Sequence, residues 1–178
     1  MVGNIPNILT LTRILLLPFF AASLFYEQYQ YALLIFIAAS ITDLLDGFIA
    51  RVKKQVTYFG TILDPVADKF FLLTSIIMMS KSGLIPMWLT IVVLSRDLIV
   101  ITGCFIIYLV TNNLDIEPSI VGKIASAGQF LMVGLILLSL NFNGNNMNFL
   151  NSLFILVAVL TAMSGLHYVY RGLKIANP

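Results

Sequence analysis

Residues 31–69 read YALLIFIAASITDLLDGFIARVKKQVTYFGTILDPVADK. From Tyr31 to Thr42 no side chain is charged, and the apolar character is continuous rather than alternating. That pattern reads as a fully apolar helix, not a half-buried strand. Asp43, Asp46, Arg51, Lys53 and Lys54 then follow in quick succession. A second apolar segment opens near Gly60, carries Asp64 and Asp68, and continues past Lys69. Two helices therefore meet at a short charged connection, with their polar ends on one side. Ionisable groups at the edge of a bilayer are costly unless paired, hydrated or bound to a cation.

The rest of the chain extends the same pattern. Of its 178 residues, 60% are hydrophobic and 10% charged, and the mean hydropathy is +0.99. A soluble domain has roughly 45–50% apolar and about 25% charged residues. A water-soluble globular domain, a disordered chain and a nucleic-acid-binding arm are excluded. The one Cys excludes a disulfide framework and a Cys-based metal site. A spanning helix needs about 20 apolar residues. Six such segments are predicted, at 7–26, 31–51, 60–80, 85–110, 123–140 and 149–171. The expected fold is a single all-α membrane domain over residues 1–178, six transmembrane helices with a polar, cytoplasm-facing active-site cleft. Continuous apolar runs argue against a barrel. The first span is expected to be retained, because its first basic residue, Arg13, lies inside it rather than before it.

Lys and Arg set the orientation. With the 51–59 connection inside, that side collects Arg13, Arg51, Lys53, Lys54, Lys69, Lys123, Arg171 and Lys174, while the other receives Lys81 alone. This is a positive-inside pattern with both termini cytoplasmic. Together with the chain length and the lack of a targeting segment, it points to a bacterial inner membrane.

The acidic residues carry the chemistry. Asp43 and Asp46 are i, i+3 on one helix, and Gly47 and Ala50 extend that face. Gly60, Asp64 and Asp68 form an i, i+4, i+8 stripe on the next helix. Four carboxylates in one cleft repel one another. Hard divalent cations resolve the conflict, and Mg²⁺ or Mn²⁺ takes carboxylate oxygens together with phosphate. Two such ions stabilise the attacking and leaving oxygens of an in-line phosphoryl displacement. The small residues on the same faces leave room for a phosphate to approach backbone. The alternative is an interfacial ion network with Arg51, Lys53, Lys54 and Lys69.

Written as Asp43-x2-Asp46-Gly47-x2-Ala50-Arg51-x8-Gly60-x3-Asp64-x3-Asp68, the segment resembles the signature of the CDP-alcohol phosphatidyltransferases at all its specified positions. The resemblance implies an enzyme that displaces CMP from a CDP-linked lipid with an alcohol. It implies that Asp43, Asp46, Asp64 and Asp68 hold the metal, two ions of Mg²⁺ or Mn²⁺. It further implies that Asp68 deprotonates the attacking hydroxyl, and that Gly47, Ala50, Arg51 and Gly60, with Asp43, line the CDP pocket. Members resemble homodimers.

Three further segments bear on the acceptor. The run from Ile5 to Arg13 is similar to the opening of the branch that makes phosphatidylglycerol phosphate and of its cardiolipin synthase relatives; Asn7 and Thr10 would reach the nucleotide. The alternative is an ordinary helix start with Arg13 snorkelling to lipid phosphates. Arg96 lies in mid-span, where an Arg is costly. Either Asp97 or a neighbouring helix neutralises it, or its guanidinium forks onto an acceptor phosphate. Ser95-Arg96-Asp97 looks more like the cardiolipin synthases. Residues 122–129 resemble the branch's Gly-Lys-x-Lys-Thr-x-x-Gln, with Ala125 in place of the second Lys and Ser126 in place of Thr. Lys123 and Arg171 are read as further acceptor contacts. Ser164-Gly165-Leu166-His167-Tyr168 resembles Ser-Gly-x-acidic-Tyr, with His167 in the acidic position.

The expected reaction uses CDP-diacylglycerol and glycerol 3-phosphate to give phosphatidylglycerol phosphate and CMP. The alternative is a cardiolipin synthase with phosphatidylglycerol as acceptor. The expected partners are these substrates, membrane lipids and a second copy of the chain, with no nucleic acid. A rival of another class, an ion-coupled transporter, would favour midplane sites on interrupted helices and repeated halves; neither pattern is visible here.

Overall fold

The computed structural model describes residues 5–53, 58–111, 119–142 and 147–176. All of them lie in or beside six helices: α1 (Ile5–Phe25), α2 (Tyr29–Lys53), α3 (Tyr58–Lys81), α4 (Met87–Thr111), α5 (Ile120–Asn141) and α6 (Met147–Ala176). The six apolar segments read from the sequence each fall on one helix, with ends displaced by a few residues. Among the described residues, two segments are long and apolar enough to cross a membrane by length and composition, Ile120–Asn141 and Asn148–Gly172. The apolar parts of α1 and α2 are shorter, Thr10–Phe25 and Tyr29–Asp43. In α2 the cause is plain, since Asp43, Asp46, Arg51 and Lys53 occupy its last three turns.

Two of the connections are set by left-handed residues. After α1, Gln28 N–H bonds Ser23 O at 2.8 Å and Glu27 N–H bonds Leu24 O at 3.2 Å, around Glu27 at φ 57°. After α3, Leu84 N–H bonds Met79 O at 2.9 Å and Gly83 N–H bonds Ser80 O at 3.1 Å, around Gly83 at φ 73°. Both are Schellman caps, which consume carbonyls that the helix end leaves over. Glycine suits the position; Glu27 adopts it at a steric cost of about 1 kcal/mol.

The helices divide into two compact units. One holds Met1–Leu84 and Gly134–Asn145, thus α1, α2, α3 and the end of α5. Its core is a ring cluster: Phe20 and Phe71 lie 4.8 Å apart between centroids, with Phe36 6.4 Å and 6.2 Å from them. All three rings are buried. Gly134 fits because a Cβ there would stand 3.1 Å from Phe36 Cε1. Asn141 Nδ2 donates to Tyr29 O at 3.1 Å and ties the end of α5 to the start of α2.

The other unit holds Ile85–Val133 and Asn146–Pro178. There α4 packs along α6, and Gly128 of α5 lets Leu160 approach to within ordinary contact distance. In the first unit, three hydroxyls are satisfied by their own helices: Ser23, Ser40 and Ser75 donate to the carbonyls of Phe20, Phe36 and Phe71 at 2.7, 2.6 and 2.7 Å. Large apolar side chains stand exposed on all six helices, among them Phe19, Leu34, Phe70, Phe105, Leu131 and Leu166. Exposed apolar surface on that scale is foreign to a monomer in water and suits a lipid environment.

Candidate active site

In the first unit, three helices deliver charge to one place. Arg13 sits on the first half of α1, Asp43 in the second half of α2 and Asp68 in the first half of α3. Because consecutive helices run in opposite directions, these positions fall at the same end of the three helices. Arg13 is 2% exposed. Its Nη2 lies 3.0 Å from Asp43 Oδ1, and its Nη1 donates to Asp68 Oδ1. Both carboxylates remain 47% exposed. A buried, permanently charged guanidinium thus links two half-exposed carboxylates. Thr10, one turn before Arg13, is fully buried.

Asp46 and Asp64 lie within α2 and α3, one turn from Asp43 and Asp68 respectively. The side chains of Asn7, Asp46, Ala50, Arg51 and Asp64, and the surroundings of Gly47 and Gly60, fall outside what the structure describes. The two carboxylates that can be described, from different helices, converge on one positive group and have the oxygen chemistry that Mg²⁺ and Mn²⁺ require; among the described residues no group of three or more His, Cys, Asp or Glu is placed to hold a metal ion.

Of the readings open from sequence, the alternative in which Arg13 snorkels outward to lipid phosphates does not hold: at 2% exposure Arg13 is turned inward onto Asp43 and Asp68. The available signal was an Arg in a run otherwise free of charge from Ile5 to Tyr26. Such a residue needs a counter-charge as much as it needs a surface.

The second unit builds a separate polar cluster around Arg96. Arg96 is 7% exposed and Asp97 5% exposed. Arg96 Nη1 donates to Asp97 Oδ1 at 2.8 Å. Its Nη2 and Nε donate to Ser164 Oγ at 2.8 and 3.2 Å. The guanidinium carbon lies 5.7 Å from the centre of the Tyr168 ring. Two glycines make room for it: a Cβ at Gly122 would stand 3.0 Å from Arg96 Nη2, and one at Gly165 would stand 3.4 Å from Arg96 Cγ. Ser119 caps α5, its Oγ accepting from Gly122 N–H at 3.0 Å. Its own N–H donates to the Tyr168 hydroxyl at 3.1 Å. Asp97 does neutralise Arg96, one of the two roles open to it from sequence. Lys123 is exposed at the start of α5, and Arg171 is half-buried one turn beyond Tyr168. His167 is exposed on α6. Ser119, Ser164, Gly165 and Tyr168 were not read as site residues. The signal for three of them was the i, i+4 spacing of Ser164 and Tyr168 with Gly165 between them.

Residues 3–164 match the CDP-alcohol phosphatidyltransferase family. The chain belongs to that family. Among its relatives, the CDP-diacylglycerol–glycerol-3-phosphate 3-phosphatidyltransferase of Aquifex aeolicus (strain VF5) is 37% identical, over 96% of this chain and 97% of the relative. The enzyme of the same name from Bacillus subtilis (strain 168) is 31% identical over 98% and 99%. The cardiolipin synthase (CMP-forming) of Rattus norvegicus is 33% identical over 96% of this chain but only 62% of the relative. Family membership removes the ground for an ion-coupled transporter.

Proposed function

We propose that this phosphatidyltransferase moves the phosphatidyl group from CDP-diacylglycerol to glycerol 3-phosphate, giving phosphatidylglycerol phosphate and CMP. The observation that carries the proposal is the end-to-end match to two enzymes of that name, each covered over 97% or more of its length. The primary hydroxyl of glycerol 3-phosphate attacks the donor phosphorus that bears the diacylglycerol. The bond from that phosphorus to the CMP oxygen breaks, and CMP leaves.

Asp43, Asp46, Asp64 and Asp68 would hold Mg²⁺ or Mn²⁺, two ions in this reading. Held by these residues, a divalent ion would supply charge neutralisation to the diphosphate and Lewis acidity to the attacking hydroxyl. Asp68 takes the hydroxyl proton on its carboxylate. Asn7, Thr10, Gly47, Ala50, Arg51 and Gly60 line the CDP pocket. Arg96, Lys123 and Arg171 serve the acceptor phosphate. For Arg96, the support is that Asp97, Ser164 and Tyr168 already hold its guanidinium in one orientation.

The proposal places all six helices across the membrane as one domain, with the carboxylates and both termini on the cytoplasmic side of a bacterial inner membrane. The bias of basic residues supports it. A homodimer completes the reading.

Phosphatidylglycerol is the second acceptor to test, because Ser95-Arg96-Asp97 resembles the cardiolipin synthases and Ala125 leaves one positive charge fewer for a dianionic acceptor. Product mass spectrometry on the purified chain decides. Each acceptor is supplied separately with CDP-diacylglycerol and Mg²⁺ or Mn²⁺. Phosphatidylglycerol phosphate from glycerol 3-phosphate alone is the expected result. Cardiolipin from phosphatidylglycerol alone would replace the assignment.

A further inference from the structure

Arg13 is placed where a metal site has no ordinary use for a cation. It comes from α1, yet it joins carboxylates on α2 and α3 that the proposed function assigns to divalent metal. It is 2% exposed, so solvent does not hold it away from them. It cannot lose its proton, so its charge is constant at any working pH. We propose that Arg13 is a built-in counter-cation and positioning residue. It holds Asp43 and Asp68 together before metal binds, and it makes full loading with divalent ions depend on the donor's diphosphate. This inference rests on the metal-dependent reading above and deepens it.

The charge balance gives the reason. Asp43, Asp46, Asp64 and Asp68 with Arg13 sum to three formal negative charges. Two divalent ions overshoot to one positive charge in a site of reduced dielectric. The donor diphosphate, with about two negative charges, brings the sum back below zero. Without the guanidinium, two ions balance four carboxylates with no donor present. Lys69 and the other flanking basic residues are the same in every variant and cancel from the comparison. Geometry adds to charge: one planar fork spans two helices, which an ammonium cannot do.

The test is Mn²⁺ binding, followed by electron paramagnetic resonance on the full-length purified chain in detergent. The titration is run with and without CDP-diacylglycerol, and with no acceptor. In the wild type, donor is expected to raise Mn²⁺ affinity roughly tenfold and to bring in a second ion. Arg13→Gln is expected to bind two ions without donor, the donor-dependent gain falling below about threefold. Arg13→Lys keeps the charge and is expected to keep the gain, with a lower kcat because the fork is lost.

Arg13→Gln with the wild-type dependence on donor would overturn the inference. So would loss of that dependence in Arg13→Lys, which would assign the effect to packing rather than charge. If Arg13→Gln does not yield folded protein by size-exclusion chromatography, Arg13→Met, which also removes the charge, is titrated in its place and decides by the criterion set for Arg13→Gln. A wild type that binds no Mn²⁺ in either condition would remove the metal reading itself. An Arg13 result that fails alone leaves that reading standing.

Discussion

Two nitrogens of Arg96 donate to a single hydroxyl, that of Ser164, 68 residues away on α6. With Asp97 on a third nitrogen, the guanidinium is held in one orientation. Hydrogen bonds to a charged group contribute about 1.5–3 kcal/mol. Asp97 stays in place when Ser164 is removed, so the charge is still paired and the lower part of that range applies. Ser164→Ala is expected to raise the KM for glycerol 3-phosphate about tenfold, equivalent to about 1.4 kcal/mol, and to leave the donor KM unchanged. Steady-state assays varying each substrate in turn provide the check. An unchanged acceptor KM would detach Arg96 from the acceptor.

Gly122 sets two effects against each other. Alanine is the better helix former by about 1 kcal/mol. Yet its Cβ would stand 3.0 Å from both Arg96 Nη2 and Tyr168 Cε2, and 3.1 Å from Ser119 Oγ. All three neighbours are tied to one another or to Ser164, so none gives way independently. Gly122→Ala is expected to lower kcat/KM for the acceptor by about tenfold, with little change in thermal stability because the two terms offset. A variant as active as the wild type would mean that the cluster is slack.

The six helices were legible because each rests on a long apolar run, a signal summed over many residues. Asp43 and Asp68 were legible as a pair because helical spacing puts acids on consecutive helices near one charged connection, and both reach Arg13. Arg13 was not, because spacing within α1 says nothing about which acids on α2 and α3 will face it. That pairing forms only when α1 packs against both. Arg96 was ambiguous for a related reason. Asp97 is adjacent in sequence, but Ser164, Tyr168 and the room made by Gly122 and Gly165 come from two other helices. The short apolar stretch of α2 follows from its charged end, where Asp43, Asp46, Arg51 and Lys53 close the run that a length count detects.

Asp68 pairs with Arg13 while its side chain stays 47% exposed. Asn keeps an oxygen to accept from the guanidinium and loses the charge and the basicity. Since Asp43 still pairs with Arg13, the folding cost is modest for a group so accessible to solvent. Asp68→Asn is expected to purify and melt like the wild type while CMP release falls by about 10²–10⁴-fold, the range for loss of a positioned proton acceptor. Full turnover in this variant would take Asp68 out of the mechanism.

Gln129 and Thr161 form the remaining buried polar contact between α5 and α6. Both are fully buried, and Gln129 Nε2 donates to Thr161 Oγ1 at 3.0 Å. Gln129 Oε1 has no hydrogen-bond partner. One bond of this kind contributes about 1 kcal/mol net, whereas a buried acceptor without a partner costs about 1–3 kcal/mol. The Thr161 hydroxyl can turn to a carbonyl of its own helix when the amide is gone. Gln129→Met is close in volume and carries no such acceptor, so it is expected to melt at or slightly above the wild-type temperature. Loss of stability would show that Oε1 meets a buried water. Unchanged stability with reduced kcat would instead show that the amide is kept for the reaction, which the melting curve and the CMP assay together distinguish.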